Sequence, residues 1–357
     1  MNSDRQAMLE AARRLAAHGG IIVLGNDIDL TLSTGGPQGE DDPRKTAIRP
    51  DTGAALCALE ARGHIIGIVT NRSGRQAAQM LAEQGVRAAE IVGTYGLETF
   101  HADVSAPSLG VATVDARFAP YAEAITGILR GVREAVYADI GLHEDPGNAV
   151  EIEAPTPAGP LLIERKAVCD AFPEGLGHVY NVNLIADRPY RARLLARAEQ
   201  RYRALAAQSL AGQPLGRIWG LLPPDPPGAT PHDARFSWTL GPSISRGKAG
   251  GMIALLRVAR RRVADPARIE MVTFAGDSDA DAAAMRAAHL VATVAGRERV
   301  RTLGVWVRAM GIDAPLAERE ADITVDGPDG YARLLADLAR AVDIEDEIPV
   351  SGRIPSL

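Results

Sequence analysis

An unbroken apolar run that gives way to paired acids constrains this chain more than any other stretch. Ile21-Ile22-Val23-Leu24-Gly25 follows the Gly19-Gly20 turn and leads into Asp27-Ile28-Asp29-Leu30-Thr31-Leu32. A short run with no polar alternation, bounded by turn signals, reads as a strand covered on both faces. Such strands belong to the parallel sheets of α/β proteins, and these sheets bind ligands at the C-terminal edge, where the acids fall. Residues two apart on an extended segment project to the same side, so Asp27 and Asp29 address one point together. Adjacent carboxylates repel unless a cation lies between them or one holds a proton. A divalent metal beside a carboxylate nucleophile resolves that conflict and points to phosphoryl transfer through an acyl-phosphate. A solvated acidic turn is the competing reading of this motif taken alone.

Three further stretches supply matching chemistry. His64-Ile65-Ile66-Gly67-Ile68-Val69 is a second buried strand, ending in Thr70-Asn71-Arg72, a hydroxyl followed by a cation. Ile269-Glu270-Met271-Val272-Thr273-Phe274-Ala275 is a third, ending in Gly276-Asp277-Ser278-Asp279-Ala280-Asp281. Ser245-Arg246-Gly247-Lys248-Ala249 opens an amphipathic helix that runs from Gly250 to Arg262. The ordered set offers a nucleophilic carboxylate, a hydroxyl for phosphate, a cation at a helix start and a second acidic cluster.

Composition narrows the partners. A chain of 357 residues with 46% hydrophobic content can build one large or two modest cores. Aromatics make up only 4%, so Ala, Leu, Val and Ile must fill them. A net charge of −6 argues against nucleic-acid and membrane-surface binding, so an anionic substrate must be drawn by local cations and a metal. Cys57 and Cys169 are too few and too isolated for a disulfide framework or a metal cluster, and read as reduced thiols. No run approaches a membrane span, and the first residues, mixing acids and bases through Arg13-Arg14, read as a capped amphipathic helix rather than a signal peptide. The expected location is cytoplasmic, and the expected state a monomer or homodimer.

Motif spacing locates a second domain. A helix over 50–62 occupies much of the interval between Asp27 and Thr70, leaving only the Gly- and Pro-rich loop 33–49, too short for a folded insert. The interval between the Thr70 unit and Arg246 is long. A helix over 75–84 and a strand over 90–93 complete the first part of the core. Beyond them we expect a helix over 119–137, strands over 149–153, 161–164 and 178–183, a helix over 190–211, and strands over 216–221 and 234–240. Polar–apolar alternation suits a sheet with helices on one face and a ligand on the other. The division is residues 1–105 and 243–345 for a discontinuous core, 106–242 for a smaller domain and 346–357 for a tail.

On these residues the chain resembles the haloacid-dehalogenase superfamily of phosphatases. Asp27-x-Asp29-x-Thr31 is similar to that superfamily's first motif, Thr70 to its second, Arg246 or Lys248 to its third, and Gly276-Asp277-x-x-x-Asp281 to its fourth. The resemblance implies a Rossmann-like α/β core with a parallel sheet, carrying a C2 (C2B) type α/β cap between the second and third motifs. A cap there resembles the sugar-phosphatase branch, which includes trehalose-6-phosphate, mannosyl-phosphoglycerate and sucrose-phosphate phosphatases. Gly93-Thr94-Tyr95-Gly96-Leu97-Glu98 and Glu164-Arg165-Lys166 are similar to segments of the trehalose-phosphate group. There are departures: Leu30 stands where Gly is usual, Tyr95 where His is usual, and Val179-Tyr180-Asn181 replaces His-Tyr-Arg.

The resemblance implies Mg²⁺-dependent hydrolysis of a sugar phosphate. Asp27 would be the nucleophile and Asp29 the acid and base. Thr70 would hold the transferring oxygens together with Arg246, which the family register favours, or with Lys248. Mg²⁺ would rest on Asp27, Asp277 and the main-chain carbonyl of Asp29, with Asp281 meeting it directly or through a water. Thr31, Asn71, Arg72 and Glu98 would contact substrate from the core, and Glu164 and Lys166 from the cap. Glu164 and Lys166 also read as a surface pair; Trp219, Trp238 and Tyr180 read as core or as stacking platforms. His101, His143 and His178 lack ligand spacing. A phosphomutase is the alternative activity, and a silent binding protein a third.

Overall fold

The computed structural model describes residues 3–33, 47–93, 96, 98–101, 110–114, scattered helical positions between 124 and 138, 151–156, 159–165, 178–181, 188–209, 219–222, 239–242, 244–294, 300–309 and 313–343. The first element, α1 (Ser3–Ala17), turns Met8, Leu9, Ala12 and Leu15 inward at helical spacing. It feeds β1 (Ile21–Asn26), buried along its whole length. Then come α2 (Pro50–Ala61), opened by Pro at its first position, β2 (Ile65–Val69) and α3 (Gly74–Ala82), whose cap Ser73 accepts from Gln76 N. After β3 (Glu90–Gly93) come two short strands that the sequence pattern does not announce, β4 (Glu98–His101) and β5 (Val111–Val114).

A separate antiparallel sheet contains β6 (Glu151–Thr156), β7 (Gly159–Arg165) and β8 (His178–Asn181), followed by α4 (Arg188–Ser209). The antiparallel pair β9 (Trp219–Leu222) and β10 (Thr239–Pro242) then leads into α5 (Ile244–Arg262). These elements overlap the strands and helix expected there; residues 149–150, 182–183 and 223–238 lie outside the described residues. The chain closes with β11 (Ile269–Gly276), α6 (Asp279–Val294), β12 (Arg301–Arg308), α7 (Pro315–Glu320), β13 (Ile323–Asp326) and α8 (Gly327–Ala341).

The main sheet has eight strands in the order β13-β12-β11-β1-β2-β3-β4-β5. It is parallel from β13 to β3, and β4 and β5 run antiparallel at one edge. Thus β5, within the range 106–242, belongs by pairing to the main sheet. Period-two alternation sends Ile22, Leu24, Ile66 and Ile68 to one face, against α1, α2, α3 and α8. Ile21, Val23, Ile65 and Val69 go to the other, against α5 and α6. Each fully buried aliphatic side chain contributes about 1.5–3 kcal/mol relative to exposure. The order runs outward from β1 in both directions, which puts the switch point between β1 and β11.

One pair of glycines sets how closely α5 lies on the sheet. Gly25 and Gly67 are register partners; a Cβ on Gly67 would lie 2.3 Å from Leu255, and one on Gly25 2.9 Å from the Met252 sulfur. The missing side chains let α5 sink onto β1 and β2, which brings its first turn to the edge where Asp27 emerges. Among the described residues no helix is long and apolar enough to cross a membrane.

Candidate active site

Four charged side chains converge at the switch point. Asp27 leaves β1 with its backbone still tied to the sheet, its N–H donating to Ala275 O at 2.9 Å. Past it, Ile28 O accepts from the N–H groups of Thr31, Leu32 and Ser33 and from Ser33 Oγ, at 2.9–3.2 Å. This tight turn needs a left-handed residue, and Leu30 takes the position at φ 54°, the sole positive φ of a non-glycine among the described residues. Asp277 follows β11, and its carbonyl accepts from Trp306 Nε1 at 3.3 Å. Asp281, in the first turn of α6, accepts from Ser278 N at 3.1 Å and Ser278 Oγ at 2.8 Å through one oxygen, in the manner of a capping box.

Lys248 enters from α5, fully buried, and donates to Asp27 Oδ2 at 2.8 Å and to Asp281 Oδ1 at 2.7 Å. The other oxygen of Asp27, Oδ1, is buried with no hydrogen-bond partner among the described residues. Carboxylate oxygens of Asp27, Asp277 and Asp281 lie within 4.8 Å of one another.

This cluster is electrostatically unfinished. Burial pushes the pKa of Asp27 up to about 6; Lys248 pulls it back, while Asp281 and Asp29 add to the rise. Burial, then the charges of Asp281 and Asp27, hold Asp277 well above the usual carboxylate range. Burial alone would lower Lys248, but Asp27 and Asp281 outweigh it and hold its pKa above the ordinary lysine value. Among the described residues one ammonium meets three buried carboxylates, which leaves two negative charges uncompensated. A divalent cation suits that surplus, and a cluster of three carboxylates suits an oxygen-seeking ion such as Mg²⁺.

The other expected residues divide. Thr70 is buried at the end of β2, its N–H donating to Val92 O at 2.9 Å and its Oγ1 accepting from Arg72 N at 3.3 Å. Thr31 Oγ1 and Asn71 Oδ1 are buried with no partner among the described residues. Arg72 turns to Asp29: Nε lies 2.9 Å from both carboxylate oxygens, and Nη2 2.6 Å from Oδ1. Glu98, also buried, accepts from Gly74 N at 2.6 Å, which anchors it to the start of α3. Gly96 (φ 85°) lies against the Gly247 backbone; a Cβ there would meet Gly247 O at 2.2 Å. Gly96 thus braces the turn that carries Lys248. The side chain of Arg246 lies outside the described residues, as do Lys166 and the side chain of Glu164; the Glu164 backbone pairs with Glu151 and Val179.

Two functional contacts were not anticipated. Ser278 locks Asp281, and the Ser-x-x-Asp spacing was the available signal. Asp279, between the two cluster acids, instead accepts from Leu316 N at 2.7 Å and Ala317 N at 3.1 Å, tying α7 to the site.

The fold defines a class: a mostly parallel α/β sheet whose switch-point edge carries an acid cluster and one buried lysine, as the motif resemblance implies for the core. The fold is similar to that of the C-terminal domain of trehalose-6-phosphate phosphatase from C. albicans, at 11% identity over 93% of this chain and 97% of that one, with a TM-score of 0.53. Trehalose-6-phosphate phosphatase from Aspergillus fumigatus aligns at 14% identity over 93% and 97% (TM-score 0.46), and a haloacid dehalogenase-like hydrolase from Bacteroides thetaiotaomicron at 14% over 88% and 98% (TM-score 0.42). No family model matches the sequence, and no curated protein does.

Proposed function

We propose that this chain is a Mg²⁺-dependent phosphatase acting on a sugar phosphate, with trehalose-6-phosphate or a trehalose-like disaccharide phosphate as the preferred class. The observation that carries the proposal is the bare Oδ1 of Asp27, held at the switch point by a lysine that occupies only its twin oxygen. An oxygen without a donor is free to attack. In this reading Asp27 Oδ1 bonds to phosphorus as the bond from phosphorus to the sugar oxygen breaks, and Asp29 delivers a proton to that oxygen. Asp29 then takes a proton from the water that attacks the acyl-phosphate, releasing phosphate and restoring Asp27. Lys248 keeps the Asp27 carboxylate from rotating, and the Thr70 hydroxyl donates to a transferring oxygen, the preorganised stabilisation that dominates such reactions. Asp27, Asp277 and Asp281, with the main-chain carbonyl of Asp29, would hold Mg²⁺, which supplies charge neutralisation for the phosphoryl oxygens. A C2-type cap within 106–242 would close over the sugar and select it, with Glu164 and Lys166 reaching its hydroxyls.

The test is phosphate release from a panel of phosphorylated mono- and disaccharides with Mg²⁺ and with excess chelator. Release that requires Mg²⁺ and favours a disaccharide phosphate is expected. Full activity in chelator sinks the metal assignment, and an isomerised sugar phosphate without free phosphate makes the protein a mutase.

A further inference from the structure

Arg72 follows Thr70 closely enough to pass for a phosphate ligand, but its guanidinium is already committed. It meets Asp29 through three contacts of 2.6–2.9 Å that take in both carboxylate oxygens. The two partners are held very differently. The Arg72 side chain is 8% exposed, and its loop is fastened on several sides. Its own N–H donates to Thr70 Oγ1, its carbonyl lies against Gly93 with room for no side chain there, and the next turn hangs on Glu98 through Gly74 N. Asp29 is 41% exposed and sits beside the left-handed Leu30. Left alone, an aspartate so exposed on a tight turn would sample several rotamers. A planar guanidinium fixes the plane of a carboxylate as well as its place, which an ammonium does not.

We infer that Arg72 is a positioning residue: it holds the Asp29 carboxylate at the orientation from which it delivers a proton to the leaving-group oxygen, and it is not itself a ligand of the substrate phosphate. This deepens the proposed function and rests on its assignment of Asp29 as proton donor. Asp29 enters the step as the protonated carboxyl; its proton moves to the alkoxide or phenoxide oxygen as the P–O bond breaks, which leaves the carboxylate that Arg72 grips, and Arg72 exchanges no proton. Loosening Asp29 should therefore matter in proportion to how much the leaving group needs a proton.

The experiment compares kcat/KM, which reports phosphoryl transfer to the enzyme, for two small esters with Mg²⁺. para-Nitrophenyl phosphate has a leaving group that departs unprotonated, whereas phenyl phosphate releases a phenol as basic as a tyrosine side chain, with a pKa of about 10. Arg72→Gln should lose activity on phenyl phosphate roughly tenfold or more beyond its loss on para-nitrophenyl phosphate, a share of the ~10²–10⁴-fold that positioned proton transfer contributes. Arg72→Lys, which keeps the charge without the fork, should show the same divergence. Equal losses on both esters in the two variants make Arg72 a phosphate ligand or a structural prop and overturn the inference, as does no loss on either. The proposed function fails separately: wild-type protein that cleaves neither ester, or Asp27→Asn that still cleaves either, removes the phosphatase reading itself.

Discussion

Asn26 and Asp27 are neighbours at the end of β1, both buried, and the fold treats them in opposite ways. Every part of the Asn26 amide is used. Nδ2 donates to Leu24 O and Gly67 O at 3.2 Å, and Oδ1 accepts from Tyr331 OH at 2.5 Å, joining β1, β2 and α8. One residue on, Asp27 keeps an oxygen with no partner among the described residues, in a cluster with too much negative charge. A satisfied buried polar group specifies structure; an unsatisfied one costs stability and is retained where it acts. The interior of the sheet and its C-terminal edge thus separate holding from doing within a single peptide step.

Substitution at the two positions should break that comparison or confirm it most sharply. Asp27→Asn should drop turnover to background, because the amide is isosteric but cannot attack phosphorus. It should not lower thermal stability in the absence of divalent cation, since burial already disfavours the charged form of Asp27. Asn26→Asp is the mirror change. It places a charge where all donors and acceptors are matched, opposite Tyr331, and should unfold the protein at markedly lower temperature. Phosphate release by Asp27→Asn at the wild-type rate breaks the assignment of the edge.

The sheet's two edges also oppose each other in pH. His64, where the chain enters β2, accepts from Ile22 N on Nδ1, while its buried Nε2 has no partner among the described residues. Burial, helped by Arg62, lowers its pKa to about 4 from 6.5. The unfolded chain takes up that proton first, so the His64 contribution is full above 6.5 and is lost as pH falls towards 4. Asp27, raised from 3.8 to about 6, behaves in reverse. The folded, metal-free protein holds the proton longer, and the contribution is full below 3.8 and lost as pH rises through 6. Each group tilts stability by about 1.4 kcal/mol per pH unit in its window. Burial raises Asp277 in the same sense as Asp27, so chelated wild-type protein should lose stability as pH rises between these limits. Asp27→Asn should flatten that dependence, because Asp277 and His64 then oppose each other, and His64→Asn should steepen it, read from urea midpoints. Coincident profiles in all three proteins would show that the edges do not oppose.

What was legible in the sequence follows from the same physics. The strands β1, β2 and β11 announce themselves because burial on both faces leaves no room for polar residues, and the acids past their ends mark the edge. The strands β4 and β5 are four residues each at the sheet's margin, where half-exposed positions dilute the pattern. Which cation of Ser245-Arg246-Gly247-Lys248 enters the cluster depends on helix phase, since residues two apart do not share a face. That phase is set by α5 resting on Gly25 and Gly67 and by Gly247 meeting Gly96, contacts between segments far apart in sequence. The place of Lys248 therefore emerges from packing. The commitment of Arg72 to Asp29 is likewise a property of two loops brought together.

Removing one hydroxyl tests the holding side of the comparison more gently. Tyr331→Phe leaves Asn26 Oδ1 without its donor, in a place water does not reach, and should cost about 1–3 kcal/mol in urea unfolding. Activity per folded molecule should persist, because Asp27 keeps its own anchor to Ala275 O. A Tyr331→Phe protein that is fully stable but inactive would move the pair from the holding side to the working one.

The smallest expected effect lies at Leu30. A left-handed backbone costs an ordinary L-residue roughly 1–2 kcal/mol, because Cβ crowds the following carbonyl oxygen, and glycine escapes the penalty. Glycine also adds freedom to the unfolded chain, which returns about 0.4–1 kcal/mol of that gain. Leu30→Gly should therefore stabilise the protein by no more than about 1.6 kcal/mol, read as a small rise in the urea midpoint. Its effect on turnover tells whether the strain has a use. If the Leu30 side chain stiffens the turn between Asp27 and Asp29, Leu30→Gly will be the more stable protein and the slower catalyst, with the deficit larger for phenyl phosphate than for para-nitrophenyl phosphate. If stability rises and both esters are cleaved as before, Arg72 alone suffices to hold Asp29, and the leucine is a cost the fold merely tolerates.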